Sequence, residues 1–146
     1  MNNNFFSLPI DKQRRIINAA YKVFSENSYK KAPMSEIAEE SNISKSLLFH
    51  YFTNKKDLYM YLWCNACEIT RKAVKEKQTL ETDDFFEILR RTLRAKSSVM
   101  RDYPYVYAFS FRAYYETSPE IQDSIQANYN DARKERQIYR YIYFIT

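Results

Sequence analysis

The chain has 146 residues, enough to bury one core but short for two full domains, and its 45% hydrophobic and 17% aromatic content excludes a disordered polymer. It contains no glycine, which removes the Gly-rich dinucleotide and phosphate-binding loops outright and disfavours hairpin-rich all-β folds. The formal net charge is +5, with nine Lys/Arg facing six Asp/Glu between Met1 and Met60; a positive surface suits a phosphate-bearing partner without identifying one.

Helical periodicity dominates the chain. A first helix is expected from about Pro9 or Asp11 to Glu26, because Ile16, Ala20, Val23 and Phe24 recur on one face while Arg14, Arg15 and Lys22 lie off it. Asn27-Ser28 stops it. A shorter helix reads from Pro33 to Ser41, with the proline in its first turn and Ile37 and Ala38 inward. Asn42 falls where the chain must turn sharply, and asparagine tolerates the left-handed conformation better than most residues. Ser44 then caps a third helix from Lys45 to Phe52. Leu48, Tyr51 and Phe52 point one way on it; Lys45, Ser46, Phe49 and His50 point the other.

Thr53-Asn54 breaks the pattern and offers a cap for a fourth helix, Lys55 to Lys77, whose buried stripe is Leu58, Tyr61, Leu62, Ile69 and Ala73. Thr82-Asp83-Asp84 opens a fifth, on which Phe85, Phe86, Leu89, Leu93, Val99 and Met100 lie near helical spacing until Asp102-Tyr103-Pro104 ends it. The segment from Tyr105 to Tyr115 is apolar nearly all round, as expected of a buried helix. Ser118-Pro119-Glu120 reads as cap, proline and acid ahead of a last helix with Ile121, Ile125, Tyr129, Ala132 and Tyr139 inward.

Several functions find no support in this pattern. Cys64 and Cys67 form a lone C-x-x-C, but a zinc site takes four ligands and His50 is the single histidine. No βαβ pattern surrounds the pair, so two structural thiols in a reducing compartment are the expectation. No metal or cofactor is called for. An enzyme is not expected either, since no acid, histidine and nucleophile set is assembled by spacing. No apolar stretch reaches the roughly 18 residues of a membrane span, and the start lacks a signal-peptide core. A cytoplasmic protein without membrane partner is the default expectation.

The informative stretch is Pro33 to Phe52: short helix, tight turn at Asn42-Ile43, and a second helix opened by a capping serine. That is helix-turn-helix grammar. Ile37, Ala38, Ile43 and Leu48 brace the second helix, whose outer face is then free for a DNA major groove.

The run Ile43-Ser-Lys-Ser-Leu-Leu-Phe-His-Tyr-Phe52, followed by Thr-Asn-Lys-Lys-Asp-Leu-Tyr59, resembles the DNA-binding signature of the TetR family of transcriptional regulators. Ile17-Ile-Asn-Ala-Ala-Tyr-Lys-Val-Phe24 and Met34-Ser-Glu-Ile-Ala38 resemble that family's first two helices at the right spacing, so the likeness covers about residues 9 to 62. The resemblance implies that Ser44, Lys45, Ser46 and Leu47 reach phosphates and base edges, that Phe49, His50 and Tyr51 lie along the groove and backbone, and that Lys55 contacts a phosphate. Where members often carry glycine, this chain has Ser28, Asn42 and Ser46; Leu47 replaces a common polar residue and suits a thymine methyl instead.

The implied architecture is all-α. A three-helix DNA-binding head, residues 1–54, is joined by a long fourth helix to a helical ligand-binding and dimerisation body, residues 55–146, shortened at the C-terminus relative to the family. The implied function is a ligand-responsive regulator, in the first instance a repressor, acting as a homodimer on a double-stranded DNA operator. The alternative is a truncated relative that binds a small molecule or a partner helix without independent operator binding. Trp63, Tyr103, Tyr107, Phe111 and Tyr114 are candidate walls of a pocket for an apolar or aromatic effector; the plain alternative is that they fill a core.

Overall fold

A computed structural model of the chain describes residues 3–79 and 81–134, with side chains described over 4–79 and 81–130. Eight helices and no strand occur among the described residues: α1 (Asn3–Phe6), α2 (Ile10–Glu26), α3 (Met34–Glu40), α4 (Lys45–Tyr51), α5 (Lys55–Glu76), α6 (Phe85–Asp102), α7 (Val106–Tyr114) and α8 (Pro119–Lys134). The expected side chain of Ala132, Tyr139 and the apolar end from Arg140 lie outside the described residues.

The head is built on α2. Its stripe Ile16, Ala20, Val23 and Phe24 is fully buried, as the periodicity predicts. α3 packs across it, and α4 packs against α3. At seven residues α4 is far too short to hold its shape alone; burial of Leu48, Tyr51 and Phe52 holds it, each such side chain contributing roughly 1.5–3 kcal/mol. The turn before it is a Schellman ending. Asn42 has φ 53°, its amide donates to the Glu39 carbonyl, and the Ile43 amide donates to the Ala38 carbonyl. The same device closes α5, where Gln78 has φ 49° and the Thr79 amide reaches the Val74 carbonyl. Asparagine and glutamine thus occupy positions that glycine commonly takes.

One element has no counterpart in the sequence reading. The short helix α1 places Phe5 at zero exposure against the end of α4, its ring 5.0 Å from that of Phe52 and 5.6 Å from that of Tyr61. Pro33 also differs from expectation. It is the N-cap residue, with φ −84° and ψ 126°, and the helix begins after it.

α5 spans about 33 Å at 1.5 Å per residue and joins head to body. Leu58, Tyr59 and Leu62 near its start, and Ala66, Thr70, Ala73 and Val74 further along, are buried in one continuous core. Tyr61 and Ile69 of the expected stripe are half-buried. α6, α7 and α8 pack around α5, and α7 also packs on α2.

The body departs from the periodic reading in three places. α6 buries Thr92, Ala95 and Val99, while Phe85, Phe86, Leu93 and Met100 are exposed. α7 is not buried all round: Val106, Phe109 and Ala113 face inward, but Phe111 is exposed and Tyr115 beyond it likewise. Ser118 starts α8 through its carbonyl, which accepts from the Ile121 and Gln122 amides. Its hydroxyl is buried and makes no cap bond.

Candidate nucleic-acid interface

The outer face of α4 is assembled from its cap outward. The Ser44 hydroxyl accepts from the Leu47 amide at 3.1 Å and sits 3.0 Å from the Ser46 hydroxyl. That leaves Lys45, Ser46, Phe49 and His50 exposed on a helix with no acidic residue in its first turn. Phe49, at 37% exposure, is an aromatic ring that folding has not hidden. Leu47 is half-buried and packs against the core edge. A helix N-terminus flanked by a lysine and two hydroxyls favours phosphate oxygens, and the ring and imidazole further along can lie against sugars and base edges.

Two of the expected contact residues take other positions. Tyr51 is 5% exposed, with its ring 6.0 Å from that of Phe5; α1 covers it, so its body belongs to the core. Lys55 is drawn inward. Its ammonium donates to the Lys30 carbonyl at 3.1 Å and lies 5.2 Å from the centre of the Tyr29 ring. Burial pushes its pKa down. Lys55 therefore braces the loop between α2 and α3, which carries exposed Lys30 and Lys31.

Sequence reasoning missed two supports. Arg15 donates to the Ser41 carbonyl at 2.9 Å, pinning the end of α3. Asn4 of α1 lies 2.9 Å from the Nε2 of His50. Partners 26 and 46 residues apart leave no trace in local periodicity.

Head and body meet through a polar seam. The Tyr29 amide donates to the Glu116 carboxylate at 2.8 Å, and its hydroxyl donates to Glu120 at 2.7 Å. Burial, then the bond to Glu120, raises the Tyr29 pKa. Arg112 donates to the Ser25 carbonyl at 2.8 Å, and Asn18 to the Asp102 carbonyl at 2.8 Å. The turn between α7 and α8 is thereby tied to the loop that leads into α3.

The five aromatic candidates for an effector pocket are dispersed. Trp63 is buried, and its Nε1 hydrogen has no partner among the described residues. Tyr107 lies under the Lys96 ammonium, 5.7 Å from its ring centre. Tyr114 is half-buried between the rings of Tyr115 and Tyr129, each 5.0 Å away. Phe111 lines an open groove of about 580 Å³ with Ser25, Arg112 and Tyr115. Tyr103 lines another of about 290 Å³ with Ile69, Ala73 and Val99. Neither groove gathers more than one of the five. No group of three or more His, Cys, Asp or Glu poised for a metal occurs among the described residues, and no described helix is long and apolar enough to cross a membrane.

Residues 16–62, the span from the middle of α2 to the first turns of α5, match the family described as bacterial regulatory proteins, tetR family. That span, about a third of the chain, is what is similar to the TetR family. Among the proteins this chain is similar to, the HTH-type transcriptional activator FasR of Mycolicibacterium smegmatis is 27% identical over 124 residues, 82% of this chain and 54% of that protein. The HTH-type transcriptional regulator RutR of Escherichia coli is 30% identical over 95 residues, 64% of this chain and 43% of that one. The chain thus spans about half the length of the curated relatives it matches. A crystal structure of a TetR family transcriptional regulator from Chloroflexus aurantiacus superposes with a TM-score of 0.66 at 25% identity, covering 92% of this chain and 65% of that one. The likeness to that TetR structure reaches beyond the head into the helices of the body.

Proposed function

We propose that this chain is a DNA-binding transcriptional regulator in which residues 1–54 read an operator and residues 55–146 sense a small molecule and pair two copies. The observation that carries the reading is the outer face of α4, where Lys45, Ser46, Phe49 and His50 stand exposed over a fully apolar base. An apolar floor and a cationic, aromatic outer face are what a helix needs to enter a major groove without unfolding.

Ligand response is the finer part of the proposal. A small molecule that binds one arrangement of the body more tightly shifts the head only if the two are mechanically joined. The bonds from Tyr29 to Glu116 and Glu120 and from Arg112 to Ser25 supply that joint. Repression is the proposed sign, since occupying an operator that overlaps a promoter suffices for it. The same type of head in a relative named an activator supports the head alone as neutral in sign.

The test is a fluorescence-anisotropy titration with duplex DNA from around the chain's own coding region at two salt concentrations. A sequence preference that survives added salt supports the proposal; equal affinity for scrambled DNA contradicts it. The second reading, a binder of small molecules or partner helices without independent operator binding, is favoured by one observation, the open apolar face of α6. A strict monomer in sedimentation that ignores DNA selects it.

A further inference from the structure

Helix α1 reaches the outer face of α4 through one polar contact. The side-chain amide nitrogen of Asn4 lies 2.9 Å from the Nε2 of His50, and both side chains are exposed. An amide nitrogen only donates, so Nε2 accepts, and the neutral ring carries its proton on Nδ1. We propose that Asn4 is a positioning residue of the DNA-reading face: it fixes the orientation and tautomer of His50, and so makes that side chain a hydrogen-bond donor, never an acceptor, toward a duplex. The effect on base choice rests on the DNA-reading proposal; the hold of Asn4 on the ring does not.

An exposed hydrogen bond contributes little when both partners must first be ordered, because water competes for each. Here the ordering is done by other contacts. Phe5, the next residue, is at zero exposure, with its ring 6.0 Å from that of Tyr51 and 5.0 Å from that of Phe52. Gln13 of α2 donates to the carbonyls of Phe6 at 3.2 Å and Leu8 at 2.8 Å, and the Ser7 hydroxyl donates to the Asn4 carbonyl at 2.9 Å. On the facing side, the His50 ring meets that of Tyr51 edge-on at 5.8 Å. The backbone of α1 is thus anchored without the Asn4 amide, and the bond to His50 costs the rotamer freedom of one short side chain and one ring.

The consequence is a base preference. A donor suits the O6 and N7 of guanine, the N7 of adenine and the O4 of thymine, and it faces another donor at the amino group of cytosine. A ring free to exchange tautomers offers a donor or an acceptor as required and loses that distinction.

The chain has a single histidine, so nitrogen NMR of the full chain reads its two ring nitrogens directly. The expected result for the neutral ring is a bare Nε2 and a protonated Nδ1. Asn4→Ala is expected to bring back the form protonated on Nε2 with unchanged urea stability, and Asn4→Asp, whose carboxylate only accepts, to place the proton on Nε2 outright. A protonated Nε2 in the wild type, or a pattern indifferent to both substitutions, overturns the proposal. Selection from a pool of randomised duplexes reads the consequence. The wild type is expected to reject cytosine at one base of the selected site about fivefold more strongly than Asn4→Ala does, with the same salt slope and the same affinity for unselected duplex. Equal discrimination at every base overturns the role in base choice. Absence of any selection by the wild type contradicts the DNA-reading proposal itself, while the ring nitrogens still decide whether Asn4 holds His50.

Discussion

Asn42 and Ser44 show how two side chains aim a helix. The left-handed Asn42 ends α3 and turns the chain; the Ser44 hydroxyl then starts α4. Both were legible in the sequence, because turn and cap chemistry is local. Asn42→Ala is expected to lower stability by about 1–2 kcal/mol, since a Cβ without a compensating polar group disfavours positive φ. Ser44→Ala is expected to cost about 1 kcal/mol. Urea unfolding of each variant measures both. Lys45→Ala should weaken DNA binding uniformly across sequences and reduce the salt slope by about 0.9, a change read directly from titrations at several salt concentrations. Lys55→Ala should behave differently, loosening the 28–32 loop before it affects a phosphate, because its ammonium is engaged with the Lys30 carbonyl and the Tyr29 ring.

At the scale of the element, periodicity told which residues share a face but not which face is covered. α2 and α4 carry one apolar face each, and that face is buried. α6 carries an apolar stripe that points outward, and the small residues Thr92 and Ala95 make the inner contact because they allow close approach to α5. α1 was illegible for another reason: a four-residue helix is shorter than any periodic window, and Phe5 finds its neighbours 46 to 56 residues along the chain. Phe5→Ala is expected to destabilise the head by about 3–5 kcal/mol through the cavity left beneath Tyr51 and Phe52. Thermal or urea unfolding checks the magnitude, and a loss under 1 kcal/mol would place α1 outside the cooperative core.

Over the whole molecule, one core runs from Phe5 in the head to Ile125 in α8, and its tyrosines give it a characteristic pH response. Burial raises the pKa of Tyr21, Tyr29 and Tyr59 above the usual phenol range and that of Tyr61 to about 12. A group whose pKa is raised on folding contributes stability that is complete below its unfolded value and is lost as pH rises through the folded one. Stability should therefore hold up to about pH 10 and fall steadily above it. Phenolate absorbance from these residues should appear together with the loss of helical ellipticity; full ionisation with the fold intact would contradict the packing. The proposed division of labour between head and body rests, at the level of sequence, on family resemblance alone. The seam that joins them, Tyr29 to Glu116 and Glu120, was not legible there, because its partners lie 87 and 91 residues apart. The claim on which the function depends is that the Ser44–His50 face meets DNA, and backbone and side-chain NMR shifts followed during titration with a specific duplex test it most directly. The expected result is that shifts concentrate on Ser44, Lys45, Ser46, Phe49 and His50, with smaller changes at Lys30 and Lys31. Silence across α4, with the response confined to the body helices, would contradict the account.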